Sequence, residues 1–235
     1  MKEGMAGDVG PKAANEPVPE TRSVVMNWQA PFYDWGCRAI GLGRNFRDET
    51  LRPAALKPGE RVLDVGCGTG VLTRLAAATV GPSGHVVGID PSPGMIGVAR
   101  VNAAQTNSRA EFKLAVIERL PFEDGSFDVV LSSCMLHHLP AELKHEGLRE
   151  VRRMLKPGGR FVAVDIDRPA NPLWWLVIWP LLMMPMAAIN LRGEIPDYLR
   201  DAGFDPVQVK GHWARWLTFW VAARPGGPQG ERNPI

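Results

Sequence analysis

From Arg61 onward, short apolar runs alternate with segments of helical periodicity, and this alternation limits the possible fold more than any other feature. The strand-like runs are RVLDVG, HVVGID, EFKLAV, FDVVLSS and GRFVAVDI. FDVVLSS is apolar nearly throughout, which is typical of a parallel strand covered on both faces. Strands that alternate with helices in this way predict a doubly wound, mostly parallel α/β sheet.

The segments between these strands predict helices. They are expected at Thr69 to Val80, Pro93 to about Gln105, and Ala141 to Leu155, with Leu148, Val151 and Leu155 on one face of the last. KPGG stops that helix with its Pro and Gly. Further on, Ile195 to Ala202 predicts a short helix, and DPVQVKGHWARWLTFWVAAR predicts two strands with a turn near His212 to Ala214. These strands are expected to form an antiparallel hairpin at the sheet edge, giving a seven-stranded, Rossmann-like α/β fold with an antiparallel last strand.

The composition fits a single globular domain. The chain has 235 residues, of which 45% are hydrophobic and 22% charged. Residues 1–20 mix Gly, Pro and charge without an apolar run, so they predict a disordered leader rather than a secretory signal. Residues 225–235 have the same character and predict a flexible tail. Residues 21–224 are therefore expected to form the domain.

Charge and cysteine content narrow the classes of function. The formal net charge is only +2, and no basic run follows the pattern that binds phosphates, so a nucleic-acid partner is disfavoured. The three cysteines are far apart and lack CxxC spacing, which argues against a disulfide framework or a zinc site. We therefore expect no metal ion and a reducing, cytoplasmic environment. The sequence does not indicate an oligomeric state.

The segment VLDVGCGTGVL places Gly66, Gly68 and Gly70 directly between a strand and a helix. Glycines are needed there because the backbone turns tightly and a ligand approaches it without a Cβ in the way. Asp90 ends the next strand, at the spacing where an acidic side chain can accept hydrogen bonds from ribose hydroxyls. The loop and the acid together indicate a nucleoside-bearing cofactor.

The loop sequence also indicates which nucleoside is bound. A dinucleotide fold requires G-x-G-x-x-G, which rests the pyrophosphate on the helix N-terminus, whereas this loop reads G-x-G-x-G and follows Asp64. A carboxylate at that place repels a pyrophosphate but can hold an ammonium group, directly or through water. S-adenosyl-L-methionine carries an amino-acid tail and no phosphate, so it fits the loop better than a nicotinamide dinucleotide.

Four segments, LDVGCGTG, GIDPSPGMI, LPFEDGSFDVVLSS and MLKPGGRFVAVD, occur in this order between about Lys57 and Asp167. They resemble the class I S-adenosylmethionine-dependent methyltransferases, in particular the ubiquinone/menaquinone C-methyltransferase-like group. The resemblance implies a methyltransferase fold and S-adenosylmethionine as cofactor. Carried over by position, it implies cofactor contacts as follows: Asp64 and the backbone of Gly66, Cys67 and Gly68 near the methionine moiety, Asp90 on the ribose, Pro91 and Met95 beside the adenosine, and Ser133 near the sulfonium.

One position departs from the family pattern. The family usually has an acidic residue that contacts the adenine amine in a segment like GDAEALPF, whereas this chain reads AVIERLPF. Val116 therefore occupies the acidic position, and adenine is expected to rest on apolar side chains and on the backbone of Ile117. We expect the cofactor affinity to be weaker by about the 1 kcal/mol of one hydrogen bond.

Candidate catalytic residues follow the fourth strand and lie in the N-terminal segment. His137 and His138, in SSCMLHHLP, are expected at the edge where the carboxyl ends of the strands bind ligands. They can serve as a base or orient the acceptor, with His137 preferred, or they can be a structural pair in the pocket wall. Tyr33, in APFYDW, resembles the Tyr-Asp of the family segment that folds over the cofactor, although a surface aromatic residue of a helix fits equally.

The charge-free run from Pro169 to Leu191 allows three interpretations: a membrane span, a buried helix, or a surface for an oily substrate. A span is disfavoured because the chain must return to the sheet afterwards. Prolines within the run also break a single helix. In the resembled family an insertion after the fifth strand commonly forms part of the acceptor lid, so we expect a lid at about 168–193, with Trp28, Phe32 and Trp35 as its other wall.

A Trp- and Met-rich lid predicts a lipophilic acceptor, either a phospholipid amine headgroup or a quinone-like ring. It also leaves open a peripheral contact of residues 172–189 with the inner face of a membrane. Three alternatives stay open: a methyltransferase for a small soluble acceptor, a noncatalytic S-adenosylmethionine-binding protein, and a nicotinamide-dependent reductase.

Overall fold

The computed structural model describes residues 18–25, 30–169 and 190–226, with the backbone alone for 30–33. The expected disordered leader and flexible tail lie outside the described residues, except for 18–20 and 225–226. Most of the expected lid at 168–193, including the whole of 172–189, also lies outside them. Within the described ranges, no helix is both long enough and apolar enough to cross a membrane.

A seven-stranded sheet forms the centre of the fold, with the strand order β3-β2-β1-β4-β5-β7-β6. β1 to β5 run parallel to one another, and β7 is antiparallel to both β5 and β6. This confirms the doubly wound α/β fold and the antiparallel edge hairpin expected from the sequence. The strands are β1 Arg61–Val65, β2 His85–Asp90, β3 Glu111–Leu114, β4 Phe127–Ser133, β5 Leu155–Ile166, β6 Val207–Trp213 and β7 Leu217–Ala223.

Six α-helices connect or precede these strands in the described part of the chain. Short 3₁₀ turns also occur at Arg52–Ala54 and Leu136–His138. Helix α4 shows how the sequence sets a boundary, because the Ser92 hydroxyl accepts a hydrogen bond from the Met95 amide at 3.1 Å and Pro93 occupies the first turn. The helices are α1 Ala30–Ala39, α2 Arg44–Leu51, α3 Val71–Val80, α4 Pro93–Gln105, α5 Ala141–Met154 and α6 Ile195–Asp201.

Both faces of the sheet are covered by helices, so the central strands carry apolar side chains on both faces. Leu63 of β1 packs in the cluster that contains Leu148 and Val151 of α5. Its neighbour Val62 packs in the cluster that contains Leu72 of α3. Because successive side chains of a strand point to opposite faces, one strand supplies both cores.

Four positions differ from the sequence-based expectation. α3 begins at Val71, after the glycines have completed the turn, and β3 ends at Leu114. β5 begins at Leu155, since this residue pairs with Phe127 of β4 before the register shifts across the KPGG segment. KPGG therefore lies inside an irregular strand start as well as ending the helix. The hairpin turn lies at residues 214–216, slightly later than expected.

The two N-terminal helices are attached to different parts of the fold, α2 to the edge hairpin and α1 to the glycine-rich loop. The Phe46 ring of α2 is fully buried and packs 5.7 Å from the ring of Trp213 and 6.2 Å from that of Phe219. Asp34 of α1 accepts a hydrogen bond from the Thr69 hydroxyl at 2.6 Å. Since Thr69 belongs to the glycine-rich loop, α1 is attached beside the edge where β1, β2, β4 and β5 end.

Candidate functional site

The glycine-rich loop between β1 and α3 has a backbone that other residues rarely adopt. Gly66, Gly68 and Gly70 have φ values of +72°, +53° and +75°, all in the left-handed region. A Cβ on Gly66 would collide with the side chain of Met135, and a Cβ on Gly70 would collide with the ring of Phe112. The sequence therefore needs glycine for both conformation and space.

Asp90 fastens this loop to the end of β2. Its Oδ2 accepts a hydrogen bond from the Gly68 amide at 3.0 Å, and its Oδ1 accepts one from the Ser92 amide at 2.9 Å. Burial raises the pKa of Asp90 above its ordinary value, while these two amides favour the ionised form. Asp90 also borders the cavity described below, where its expected contact with a ribose stays a prediction.

Asp64 lies beneath the loop, with only 1% of the residue exposed. It accepts a hydrogen bond from the Thr73 hydroxyl at 2.6 Å. Burial raises the pKa of Asp64 to about 6, and the charge of Asp90 adds to the rise, whereas Thr73 and Arg47 oppose it. Asp64 does not line the cavity, so its expected contact with a methionine ammonium, direct or through water, stays a prediction.

A cavity opens where β1, β2 and β4 end, which is the edge where such sheets bind ligands. Most of the expected cofactor-binding residues border it. Cys67 and Gly70, like Asp64, shape the loop without lining the cavity. The expected residues that do line it are Gly66, Gly68, Asp90, Pro91, Met95, Val116, Ile117 and Ser133.

Sequence reasoning missed Glu118 and the segment before α1. Glu118 lines the cavity, and its Oε1 accepts a hydrogen bond from the Thr21 hydroxyl at 2.6 Å. Ser23, Val24 and Val25 line the same cavity, so the segment before α1 forms part of its wall. The signal was present in AVIERLPF, where an acid follows two residues after Val116, but the contact with Thr21 spans 97 positions.

His137 and Asp165 form a closely bonded pair at the end of β5. The His137 Nδ1 donates to the Asp165 Oδ1 at 2.8 Å, which leaves Nε2 free of that contact. Burial opposes the ionisation of Asp165, but the charge and hydrogen bond of His137 outweigh it, so the pKa of Asp165 lies below its ordinary value. The carboxylate therefore orients His137 and can stabilise its protonated form. Asp165 was not among the residues expected from the sequence.

His138 has a different environment from its neighbour. It lines the cavity, and its ring centroid lies 4.0 Å from that of His137. Burial, followed by the charge of His137, lowers the pKa of His138 to about 4. His138 is therefore neutral and weakly basic near pH 7, which suits a wall of the cavity, whereas His137 has the carboxylate that a general base uses.

Ser133 ends β4 at the cavity and is tied to α2. The Arg47 Nη1 donates to the Ser133 Oγ at 3.1 Å. The next residue, Cys134, is partly buried, and the burial of its thiol raises the pKa to about 12, so it is not a thiolate nucleophile near neutral pH. Burial likewise holds the pKa of Cys67 well above its ordinary value. Tyr33 belongs to α1, but its side chain lies outside the described residues.

No group of three or more His, Cys, Asp or Glu residues suited to a metal ion occurs in 18–25, 30–169 and 190–226. The polar features of the site are the glycine-rich loop, the carboxylates Asp64 and Asp90, and the His137–Asp165 pair.

Known proteins resemble the chain across this site. A family model described as a methyltransferase domain matches residues 62–159. An arsenite methyltransferase of Halobacterium salinarum is 36% identical over 178 residues, covering 74% of this chain and 45% of that protein. A ubiquinone/menaquinone biosynthesis C-methyltransferase of Ectopseudomonas mendocina is 36% identical over 162 residues, covering 67% and 62%. The matches to these two proteins span less than two thirds of their length.

Another relative and a solved structure are similar over more of their length. An uncharacterised methyltransferase of Synechocystis is 37% identical over 173 residues, covering 72% of this chain and 78% of that protein. The crystal structure of an S-adenosylmethionine-dependent methyltransferase from Aquifex aeolicus aligns with a TM-score of 0.60 at 22% identity, covering 76% and 89%. That likeness concerns the fold alone. Together the matches confirm the resemblance inferred from the sequence motifs.

Substitution of Gly66 tests the need for a left-handed glycine in the loop. We expect Gly66→Ala to destabilise the fold by about 1–3 kcal/mol and to weaken binding of S-adenosylhomocysteine, because the methyl group meets Met135 and the backbone is strained. The matched control is Gly97→Ala in α4, where a Cβ meets nothing within 4 Å. That change should stabilise by about 0.5–1 kcal/mol. Denaturant unfolding and calorimetric titration measure both effects, and a Gly66→Ala protein equal to wild type in both contradicts the expectation.

Proposed function

Because the chain belongs to the class I S-adenosylmethionine-dependent methyltransferases, we propose that it transfers a methyl group to a lipophilic small-molecule acceptor. A quinone-like ring is favoured over a phospholipid amine headgroup. The observation that carries the proposal is the His137–Asp165 pair, because Asp165 shortly precedes the apolar segment 169–191 and also accepts a hydrogen bond from Asn190 near the end of that segment.

The residues of the cavity fit S-adenosylmethionine. Gly66 and Gly68 leave the loop free of side chains where the methionine moiety approaches, and Asp90 lies in reach of a ribose. Val116 and Ile117, both nearly buried, offer an apolar wall to a purine ring. The cofactor, when bound, supplies an electron-poor methyl group on its sulfonium. The protein has to align the acceptor with that methyl group and exclude water.

The His137–Asp165 pair favours an acceptor that has to lose a proton. A neutral amine attacks a methyl group with its own lone pair, whereas a phenol or an activated ring carbon reacts faster when a base removes its proton. Asp165 accepts a hydrogen bond from the Nδ1–H of His137, so the Nε2 atom is available as that base. This arrangement supports His137 as the catalytic base and His138 as part of the wall.

The position of the apolar segment supports a lipophilic acceptor. β5 leads into the segment at Ile166, directly after Asp165. Near the other end of the segment, the side-chain amide of Asn190 donates to the same Asp165 at 3.2 Å. Trp35 of α1, 76% exposed, lies next to the Asp34 that holds the glycine-rich loop. These connections to Asp165 and Asp34 support the proposal that apolar groups meet the acceptor.

A relative supports the choice of a ring acceptor. The protein of Ectopseudomonas mendocina is named as a C-methyltransferase of ubiquinone and menaquinone biosynthesis, which is a reaction on a lipophilic ring. The arsenite methyltransferase has a different acceptor, and the three cysteines described here do not cluster as a soft-metal site would require. Peripheral contact of residues 172–189 with a membrane is part of the same proposal, because a lipophilic acceptor resides in the bilayer.

Acceptor profiling tests the proposed function. The protein is incubated with methyl-labelled S-adenosylmethionine and separate lipid and water-soluble extracts. We expect label in a ring-bearing compound of the lipid extract, because the apolar segment adjoins the base. Label in a phospholipid headgroup contradicts the preference for a ring, and label confined to water-soluble compounds contradicts a lipophilic acceptor. Cofactor binding without any transfer supports a noncatalytic binding protein.

Removal of the base tests the role of His137. We expect His137→Gln and Asp165→Asn to lower kcat by about 10²–10⁴, the range for general base catalysis, with unchanged affinity for S-adenosylhomocysteine. His85→Gln is the control, since His85 starts β2 at the opposite edge of the sheet. Single-turnover rates with the identified acceptor measure the effect. If both variants keep the wild-type rate, the pair is structural.

The raised pKa of Asp64 predicts how cofactor binding depends on pH. Because burial raises that pKa to about 6, the side chain becomes protonated as the pH falls from 8 to 5 and loses its attraction for an ammonium group. We therefore expect the affinity for S-adenosylhomocysteine to weaken over this range. Asp64→Asn should bind weakly at every pH, with a flat profile. If the affinity of the wild type does not change between pH 8 and 5, Asp64 does not bind the ammonium group.

A further inference from the structure

Glu118 lines the cavity and has one acceptor atom that no described residue uses. Its Oε2 is buried and has no hydrogen-bond partner among the described residues. The other oxygen, Oε1, is already held by the Thr21 hydroxyl at 2.6 Å. A buried carboxylate oxygen without a donor is energetically costly, so the fold gains when a ligand supplies one.

The surroundings of Glu118 indicate the kind of donor. Val116 and Ile117, which are 4% and 5% exposed, precede it and line the same end of the cavity. A flat aromatic ring fits between apolar walls, and a donor on the edge of that ring could reach the carboxylate. S-adenosylmethionine, the cofactor of the family, carries an adenine ring with one exocyclic amine, which only donates hydrogen bonds.

Asp90 is the other carboxylate that lines the cavity, and both of its oxygens already accept backbone amides, from Gly68 and Ser92. Both oxygens of Asp90 are therefore occupied by the backbone of the glycine-rich loop and of the start of α4. Glu118 is the lining carboxylate with an oxygen left over. We propose that the Glu118 Oε2 accepts a hydrogen bond from the exocyclic amine of the cofactor adenine and so makes this chain selective for a 6-aminopurine.

The Glu118 carboxylate also connects the proposed adenine site to the segment before α1. Residues 18–25, here named the N-terminal strap, contribute Ser23, Val24 and Val25 to the lining. The strap is held by the Thr21–Glu118 hydrogen bond and by the Val24 amide, which donates to the His138 carbonyl at 3.2 Å. Glu118 thus holds the strap with one oxygen and the adenine with the other. Binding of the adenine and attachment of the strap therefore support each other.

A cycle of two substitutions and two ligands tests the assignment. The ligands are S-adenosylhomocysteine and its 6-desamino analogue, in which hydrogen replaces the purine amine. Glu118→Met removes both oxygens at similar length. Thr21→Val is the matched control, which removes the hydrogen bonds of the Thr21 hydroxyl to Glu118 and Ser23 but keeps the carboxylate of Glu118. Gln is avoided at position 118 because its amide can turn and present its oxygen to either side.

Wild type should bind the amine-bearing ligand about tenfold more tightly than the analogue, the ratio that corresponds to one well-formed hydrogen bond to a carboxylate. In Glu118→Met this ratio should fall to about one, because the partner of the amine is lost. In Thr21→Val the ratio should persist, even where both affinities decrease together. Calorimetric titration provides the four dissociation constants of each comparison.

Two results overturn the proposal: an unchanged ratio in Glu118→Met, or a wild type that binds both ligands equally. Should Glu118→Met fail to fold, Glu118→Asp takes its place, since it keeps the charge but shortens the reach and should also reduce the ratio. The inference rests on the family cofactor and on no acceptor. A failure to methylate lipophilic compounds therefore leaves these titrations unaffected, and a failure of the titrations leaves the acceptor proposal unaffected.

Discussion

The fully buried carboxylate of Asp165 is the interaction on which the catalytic side of the site depends. An ionised carboxylate in the interior is tolerated only when donors surround it. Here the amides of Leu136 and Ile166 donate at 2.7 Å, the His137 ring at 2.8 Å and the Asn190 side chain at 3.2 Å. One charge therefore fixes the turn after β4, the end of β5 and the chain at Asn190.

Asp90 has the corresponding function on the cofactor side. It joins the glycine-rich loop after β1 to the start of α4 through the amides of Gly68 and Ser92. The two carboxylates end strands on either side of β1, and each of them holds loops from neighbouring connections. Because the loops are tied to strand ends through backbone donors, the cavity between them is shaped before any ligand binds, which is the condition for aligning a methyl group with its acceptor.

The sheet, its order of helices and strands and the glycine-rich loop could be predicted because they depend on local patterns. The start of β5 at Leu155 could not, since it depends on a register irregularity with β4. The partner of His137 lies 28 positions away at Asp165, and Thr21 lies 97 positions from Glu118. Such pairs form through the fold, and no periodicity or motif in one stretch of sequence contains them.

The division of the cavity explains why the acceptor is harder to infer than the cofactor. The cofactor half is formed by the connections after β1, β2 and β3, where glycines and acids have defined backbone partners. On the side proposed for the acceptor, the described residues supply the turn that carries His137, and most of the apolar segment after β5 lies outside the described residues. Sheets of this kind accept different insertions without losing their core. Under the proposed function, a change within the apolar segment alters which acceptor binds and leaves cofactor binding intact, whereas a change at Asp165 removes the hydrogen-bond partner of both His137 and Asn190.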